Sequence, residues 1–123
     1  MSEPSTRDLI DGVESIISRI IEKLRPKSVI IAGSLAKSKF VRGLSDIDIL
    51  VVTSEEPKVE ERFLLTAVDD VDVQLTAYSI SEVIEGLNRG NPFVVDAVEH
   101  GLEVYGELIG ELKRMLMRLK GQA

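Results

Sequence analysis

Two aspartates, Asp46 and Asp48, are separated by one residue at the start of an apolar run that continues to Thr53. Side chains alternate between the two faces of a strand, so a strand here places both carboxylates on one face, a few ångströms apart. Carboxylates held side by side raise each other's pKa, and a hard divalent cation bound between them by oxygen ligands removes that penalty. The pair therefore predicts a metal site, with magnesium as the natural candidate.

A glycine and a serine, Gly33 and Ser34, follow the short β-branched run Ser28–Ala32, which predicts a buried strand. Glycine allows close backbone approach, and the serine can offer its hydroxyl and N–H to a phosphate at the start of a helical turn. The spacing predicts a phosphate site beside the metal site.

Three basic residues, Lys37, Lys39 and Arg42, lie between the serine and the aspartates, with no acid among them until Asp46. Such a local cluster suits a triphosphate rather than a long polymer. The alternative interpretation is a solvated basic loop.

Taken together, Gly33-Ser34, a connector of eleven residues and Asp46-x-Asp48 resemble the signature of the DNA polymerase beta nucleotidyltransferase superfamily, in its minimal archaeal and bacterial form. The segment Val71-Asp72-Val73 resembles the context of that superfamily's third metal-binding carboxylate. Asp70, two residues earlier on the same strand face, is the alternative, and Asp69 lies at the preceding turn.

The resemblance implies transfer of a nucleoside monophosphate from a nucleoside triphosphate, with ATP as the first candidate, to an acceptor hydroxyl. Asp46 and Asp48 would bridge two magnesium ions, and Asp72 would share the ion that activates the acceptor. Gly33 and Ser34 would cradle the terminal phosphates. Lys37 would neutralise charge on the leaving pyrophosphate.

Length and composition restrict the remaining possibilities. A chain of 123 residues predicts one domain, residues 1–123 with a core at about 28–106, and 44% apolar with 29% charged residues is typical of a globular protein. The apolar runs are too short for a membrane span, and the absence of cysteine and of a secretory signal favours a cytoplasmic address. A net charge of −6 argues against binding to long nucleic acid.

Periodicity predicts the elements that must position these residues. Val59, Phe63 and Ala67 recur every four residues and favour a short helix, with a strand through Phe63-Leu64-Leu65 as the alternative. The other predicted strands cover residues 28–32, 46–53, 71–77 and 102–105. Helices are predicted over residues 6–25, over 79–88 with a Ser79-x-x-Glu82 capping box, and over 93–99. A last helix carries Leu108, Leu112, Met115 and Leu119 on one stripe.

These elements predict an α+β (α/β-like) domain: a small mixed β-sheet with helices mainly on one face and the carboxylates on the open face, resembling the superfamily's palm. The first functional hypothesis is a metal-dependent nucleotidyltransferase acting on a protein or small-molecule hydroxyl. A second, which the resemblance implies, is an antitoxin that adenylylates or masks a HEPN partner protein. A third is a non-catalytic nucleotide-binding domain. The apolar stripe of the last helix is either core or a homodimer face.

Overall fold

The computed structural model describes residues 6–33, 46–68 and 71–121. In chain order they form α1 (Thr6–Leu24), β1 (Ser28–Ala32), β2 (Ile47–Thr53), α2 (Val59–Arg62), β3 (Phe63–Val68), β4 (Val71–Ser79), α3 (Ile80–Arg89), α4 (Pro92–His100), β5 (Leu102–Gly106) and α5 (Ile109–Gly121).

The five strands form one mixed sheet in the order β3-β4-β2-β1-β5. The central pair, β2 and β4, is parallel, and the other three pairs are antiparallel. The predicted α+β class with a small mixed sheet is therefore confirmed. Because β2 lies at the centre, Asp48 near its beginning has a paired strand on each side.

Both faces of this sheet carry a hydrophobic core. On one face, Val13 and Ile17 of α1 pack against alternate residues of β1, β2 and β4. On the other, the buried side chains of α3, α4 and α5 pack against the intervening residues of β1 and β2, among them Leu50 and Val52. Three of the longer helices thus share one face, and α1 covers the other.

The stripe predicted for the last helix belongs mostly to this second core. Leu112 and Leu116 of α5 are buried there, and Leu108, Met115 and Leu119 pack partly buried against it. The core alternative for this stripe is the one that the structure supports.

The segment around Phe63 combines both predicted alternatives. A helix forms for one turn only, Val59–Arg62, and the chain continues as a strand that pairs antiparallel with β4. The predicted helical stripe through Ala67 is therefore wrong beyond Arg62. Pairing with β4 satisfies the backbone groups on that side of the strand. Val68 packs so closely over Gly12 of α1 that a Cβ at Gly12 would lie 2.3 Å from a Val68 methyl.

Local capping fixes the boundaries of the covering helices. The predicted Ser79–Glu82 capping box is present, with Glu82 N donating to Ser79 Oγ at 3.1 Å and Ser79 N to Glu82 Oε1 at 2.9 Å. Asn91 Oδ1 accepts from the N–H groups of Phe93 and Val94 and so caps α4. Helix α4 packs over β1.

None of the helices in the described ranges combines the length and the apolarity that a membrane crossing requires.

Candidate active site

Asp46 immediately precedes β2, and Asp48 is the second residue of that strand. Strand alternation places both side chains on the same face as Leu50 and Val52, which pack under α3, α4 and α5. The expectation that the carboxylates lie on an open face opposite the helices is therefore wrong. They lie on the face that three helices cover, at the beginning of the strand, where Asp46 is exposed and Asp48 is half-buried.

The environment of Asp48 disfavours its charge. Burial raises the pKa of the Asp48 carboxyl above its ordinary value, and the neighbouring carboxylates of Asp46 and Asp96 raise this pKa further. Asp96 belongs to α4, which packs over β1. Three acidic side chains from two elements thus interact at this point, and a bound cation would lower the cost of that arrangement.

The backbone of Gly33 lies directly against the carboxylate of Asp48. A Cβ at Gly33 would lie 2.7 Å from Asp48 Oδ2, and the φ of this residue, +73°, belongs to the left-handed region that side chains disfavour. The end of β1 positions this glycine, because Ala32 is the register partner of Asp48. Two of the predicted site features, the glycine and the aspartate pair, are therefore brought together by the β1–β2 pairing.

Asp46 receives a hydrogen bond from the neighbouring strand. Gln74 Nε2 of β4 donates to Asp46 Oδ2 at 3.4 Å, a long bond between two exposed side chains. Gln74 is also the register partner of Asp48. The amide therefore links β4 to the aspartate pair.

Asp72, the predicted third carboxylate, lies on β4 with an exposed side chain. It occupies the same strand face as Gln74, two residues away, and so faces the same side of the sheet as the aspartate pair. Within the described ranges, however, no three acidic, histidine or cysteine side chains are gathered closely enough to hold a metal ion by themselves. Asp72 thus shares a sheet face with the pair without completing a three-carboxylate group.

Several predicted residues lie outside the described part of the chain. These are Ser34 and Lys37, the basic residues Lys39 and Arg42, and the alternative carboxylates Asp69 and Asp70. Their predicted roles stay predictions.

The family model for the nucleotidyltransferase domain matches residues 13–117. The chain belongs to this family. The match confirms the predicted resemblance and the assignment of the chain as a nucleotidyltransferase domain.

Comparison with solved structures supports the fold of this domain. The chain is similar to a nucleotidyltransferase-like protein from Exiguobacterium sibiricum 255-15, with a TM-score of 0.64 and 15% sequence identity over 89% of this chain. The aligned part is 38% of the length of that protein, so the nucleotidyltransferase domain described here corresponds to less than half of it. A search of curated proteins gives no significant match.

Two residues that interact with the aspartate pair, Asp96 and Gln74, were missed by sequence reasoning. Asp96 lies in the run Phe93-Val94-Val95-Asp96-Ala97-Val98, and an acid inside an otherwise apolar helical segment is the signal that could have identified it. Gln74 gave no such signal, because its partner Asp46 lies 28 residues away along the chain.

The aspartate pair fits magnesium in chemical terms. Magnesium binds oxygen ligands, and nucleotide-handling proteins usually hold it with one or two carboxylates while substrate phosphates and water complete the shell. Asp46 and Asp48 would supply those two carboxylates, and Gly33 places no side chain against the Asp48 oxygen. A site of this type is completed by its substrate, so a preformed cage of three protein ligands is not required.

Proposed function

We propose that this domain transfers a nucleoside monophosphate from a nucleoside triphosphate to a hydroxyl group of a protein or small-molecule acceptor, in a magnesium-dependent reaction. The observation that carries the proposal is the close approach of Gly33 to Asp48, with Asp46 beside it on the same strand face. This arrangement supports a phosphate site directly adjoining a metal site.

Asp46 and Asp48 are the residues that would hold magnesium, with Asp72 on the acceptor side. When bound, magnesium would neutralise phosphate charge and lower the pKa of the attacking hydroxyl. Burial raises the pKa of Asp48, and the carboxylates of Asp46 and Asp96 raise it further, so the charged form is unfavourable without a cation; this supports the binding of one.

The sheet order supports opposite positions for the two substrates. Gly33 follows β1 and Asp72 lies on β4, and these strands flank β2 on its two sides. The triphosphate would therefore bind at the β1 side, with Ser34 and Lys37 on its terminal phosphates, and the acceptor would approach over β4.

The acceptor oxygen forms a bond to the α-phosphorus, the bond from that phosphorus to the bridging oxygen of pyrophosphate breaks, and the hydroxyl proton is released.

The test is incubation of the protein with magnesium and each α-labelled nucleoside triphosphate, with calorimetric measurement of triphosphate binding. The double variant Asp46→Asn with Asp48→Asn should lose magnesium-dependent binding and keep its fold, since it removes like charges from the beginning of a strand. Glu107→Gln with Glu111→Gln, which neutralises two exposed acids at the start of α5, is the matched control and should bind normally.

Unchanged triphosphate affinity in the double aspartate variant, with magnesium present, would contradict the proposed site. Normal binding by the wild type without labelling of any acceptor, including proteins encoded beside this one, would instead support the non-catalytic hypothesis.

A further inference from the structure

Strand β3 forms one edge of the sheet. Within the described ranges its strand partner is β4, on one side only. The N–H and C=O groups that point away from β4 along Phe63–Val68 are therefore available to another strand.

This edge is unusually apolar for an exposed position. Phe63 and Leu65 are each 68% exposed, Leu64 is 53% exposed, and Val59 in the preceding turn is 85% exposed. Proteins commonly protect an edge strand with a charged side chain or a proline, and Phe63–Val68 contains neither. The combination of unpaired backbone and apolar side chains is what an added strand requires.

The charges near this edge disfavour a second copy of the chain as the occupant. Glu60 and Glu61 lie in the turn just before β3. Arg62, which follows them, is already ion-paired with Glu56 and Glu82. Near the other end of β3, the exposed Asp72 is the register partner of Ala67. Antiparallel pairing of two copies of β3 would bring the acidic end of one against the acidic end of the other. The net charge of −6 on each copy adds to that repulsion.

The exposed apolar area at this edge also favours a single extended segment over a folded subunit as the binding partner. The four exposed apolar side chains at this edge, Val59, Phe63, Leu64 and Leu65, present on the order of 500 Å², against roughly 800 Å² per partner in a stable protein interface. One extended segment needs less area than a folded subunit.

We infer that β3 is a docking strand for an extended segment of a partner protein, one with alternating apolar side chains and basic residues on both flanks. The segment adds to the sheet beside β3, its apolar side chains cover Phe63 and Leu65, and its basic flanks face Glu60 and Asp72. Docking in this way does not depend on nucleotidyl transfer. It nevertheless places the segment near the proposed site. Leu65 is the register partner of Gln74, and Gln74 is the register partner of Asp48. Leu65 and Asp48 are therefore two strand spacings apart, about 10 Å.

The probe is a synthetic peptide of alternating valine and threonine with two lysines at each end. Matched control peptides carry glutamates at the ends, or a proline in the centre that removes a backbone donor. Binding is measured by fluorescence anisotropy without nucleotide, and amide hydrogen exchange locates the bound peptide. The lysine-flanked peptide should bind at least about tenfold more tightly than the glutamate-flanked one, and added salt should weaken it.

Leu65→Lys tests the edge directly. Its side chain is mostly exposed, so the fold should survive, and the new charge should weaken binding of the lysine-flanked peptide by about tenfold or more. Leu102→Lys, at a position 58% exposed on the opposite edge strand β5, is the matched control and should bind the peptide like the wild type. Magnesium-dependent triphosphate binding, measured on the same samples, should be unchanged in both variants, which separates failure of docking from failure of the proposed function.

New protection of the outward-facing β3 amides on peptide binding supports the docking strand. Equal binding of the proline-containing peptide, or protection confined to β5, would overturn it. Self-association of the wild type that Leu65→Lys abolishes would assign this edge to a second copy and equally overturn the inference.

Discussion

The backbone of Gly33 and the carboxylate of Asp48 are in such close contact that a Cβ on the glycine would lie 2.7 Å from Asp48 Oδ2. The two residues lie fifteen positions apart in the chain, and antiparallel pairing of β1 with β2 brings them together. A side chain at this position would collide with the Asp48 carboxylate, so the contact requires glycine.

Gly33→Ala should therefore destabilise the fold and displace Asp48. The left-handed φ of +73° costs an alanine about 1–2 kcal/mol, and the collision with Asp48 adds to it. Gly90→Ala is the matched control, because its φ is +71° and a Cβ there would meet nothing within 4 Å. Urea unfolding and calorimetry should show a loss of stability in both variants and a loss of magnesium-dependent triphosphate binding in Gly33→Ala alone. Equal triphosphate binding in the two would show that the contact has no role in the site.

The raised pKa of Asp48 predicts a pH dependence of stability. Burial, together with Asp46 and Asp96, makes the folded protein hold this proton to a higher pH than the unfolded chain does. Between the ordinary aspartate pKa and the raised one, the folded state binds more protons, so this group lowers stability as pH rises through that window. Asp48→Asn should therefore gain stability over the wild type above the raised pKa, and the gain should disappear at lower pH, as followed by thermal unfolding across pH.

Asp96→Asn provides an independent check of the same interaction. Removal of the Asp96 charge should lower the pKa of Asp48, and removal of the Asp46 charge should lower it more, since Asp46 is the stronger of the two carboxylate influences. Carboxyl titration of Asp48 by NMR measures both shifts. An unchanged Asp48 pKa in Asp96→Asn would remove Asp96 from the site.

Asp72→Asn should separate binding from transfer. A carboxylate on the acceptor side is dispensable for holding the triphosphate but is needed to activate the attacking hydroxyl. The variant should bind triphosphate nearly as well as the wild type and transfer almost nothing, which paired calorimetry and label incorporation would measure. Incorporation at the wild-type rate would exclude Asp72 and direct attention to Asp70.

Glu103 should contribute strongly to stability through one oxygen. Its Oε2 accepts from Ser28 Oγ at 2.5 Å, from Leu108 N at 2.9 Å and from Ile109 N at 3.1 Å, and it thereby joins β5 to β1 and to the start of α5. Glu103→Ala leaves a buried hydroxyl and two helix N–H groups without this acceptor and should cost about 2–4 kcal/mol in urea unfolding. Glu103→Gln retains an acceptor oxygen and should cost about half as much or less. An unchanged free energy of unfolding in Glu103→Ala would show that water replaces the carboxylate as the acceptor.

The amino-acid sequence by itself determined the local features of this protein. Alternation predicted that Asp46 and Asp48 share a strand face, a short β-branched run predicted β1, and the Ser79-x-x-Glu82 spacing predicted the capping box. Each of these depends on backbone geometry over a few residues, so the spacing of residue types is sufficient to reveal it. The family signature is of the same kind, because its parts lie in one continuous stretch of chain.

Only the tertiary structure decided which distant residues meet. The helix at Val59 ends at Arg62 because β4 offers backbone partners to the following residues, and no local pattern carries that information. The aspartate pair lies on the helix-covered face, beside Asp96 and Gln74, because α4 packs over β1 and β4 pairs with β2. Such contacts depend on packing between elements that are far apart in the chain. Hydrophobic periodicity indicates which face of an element is buried, but it does not indicate which other element covers that face.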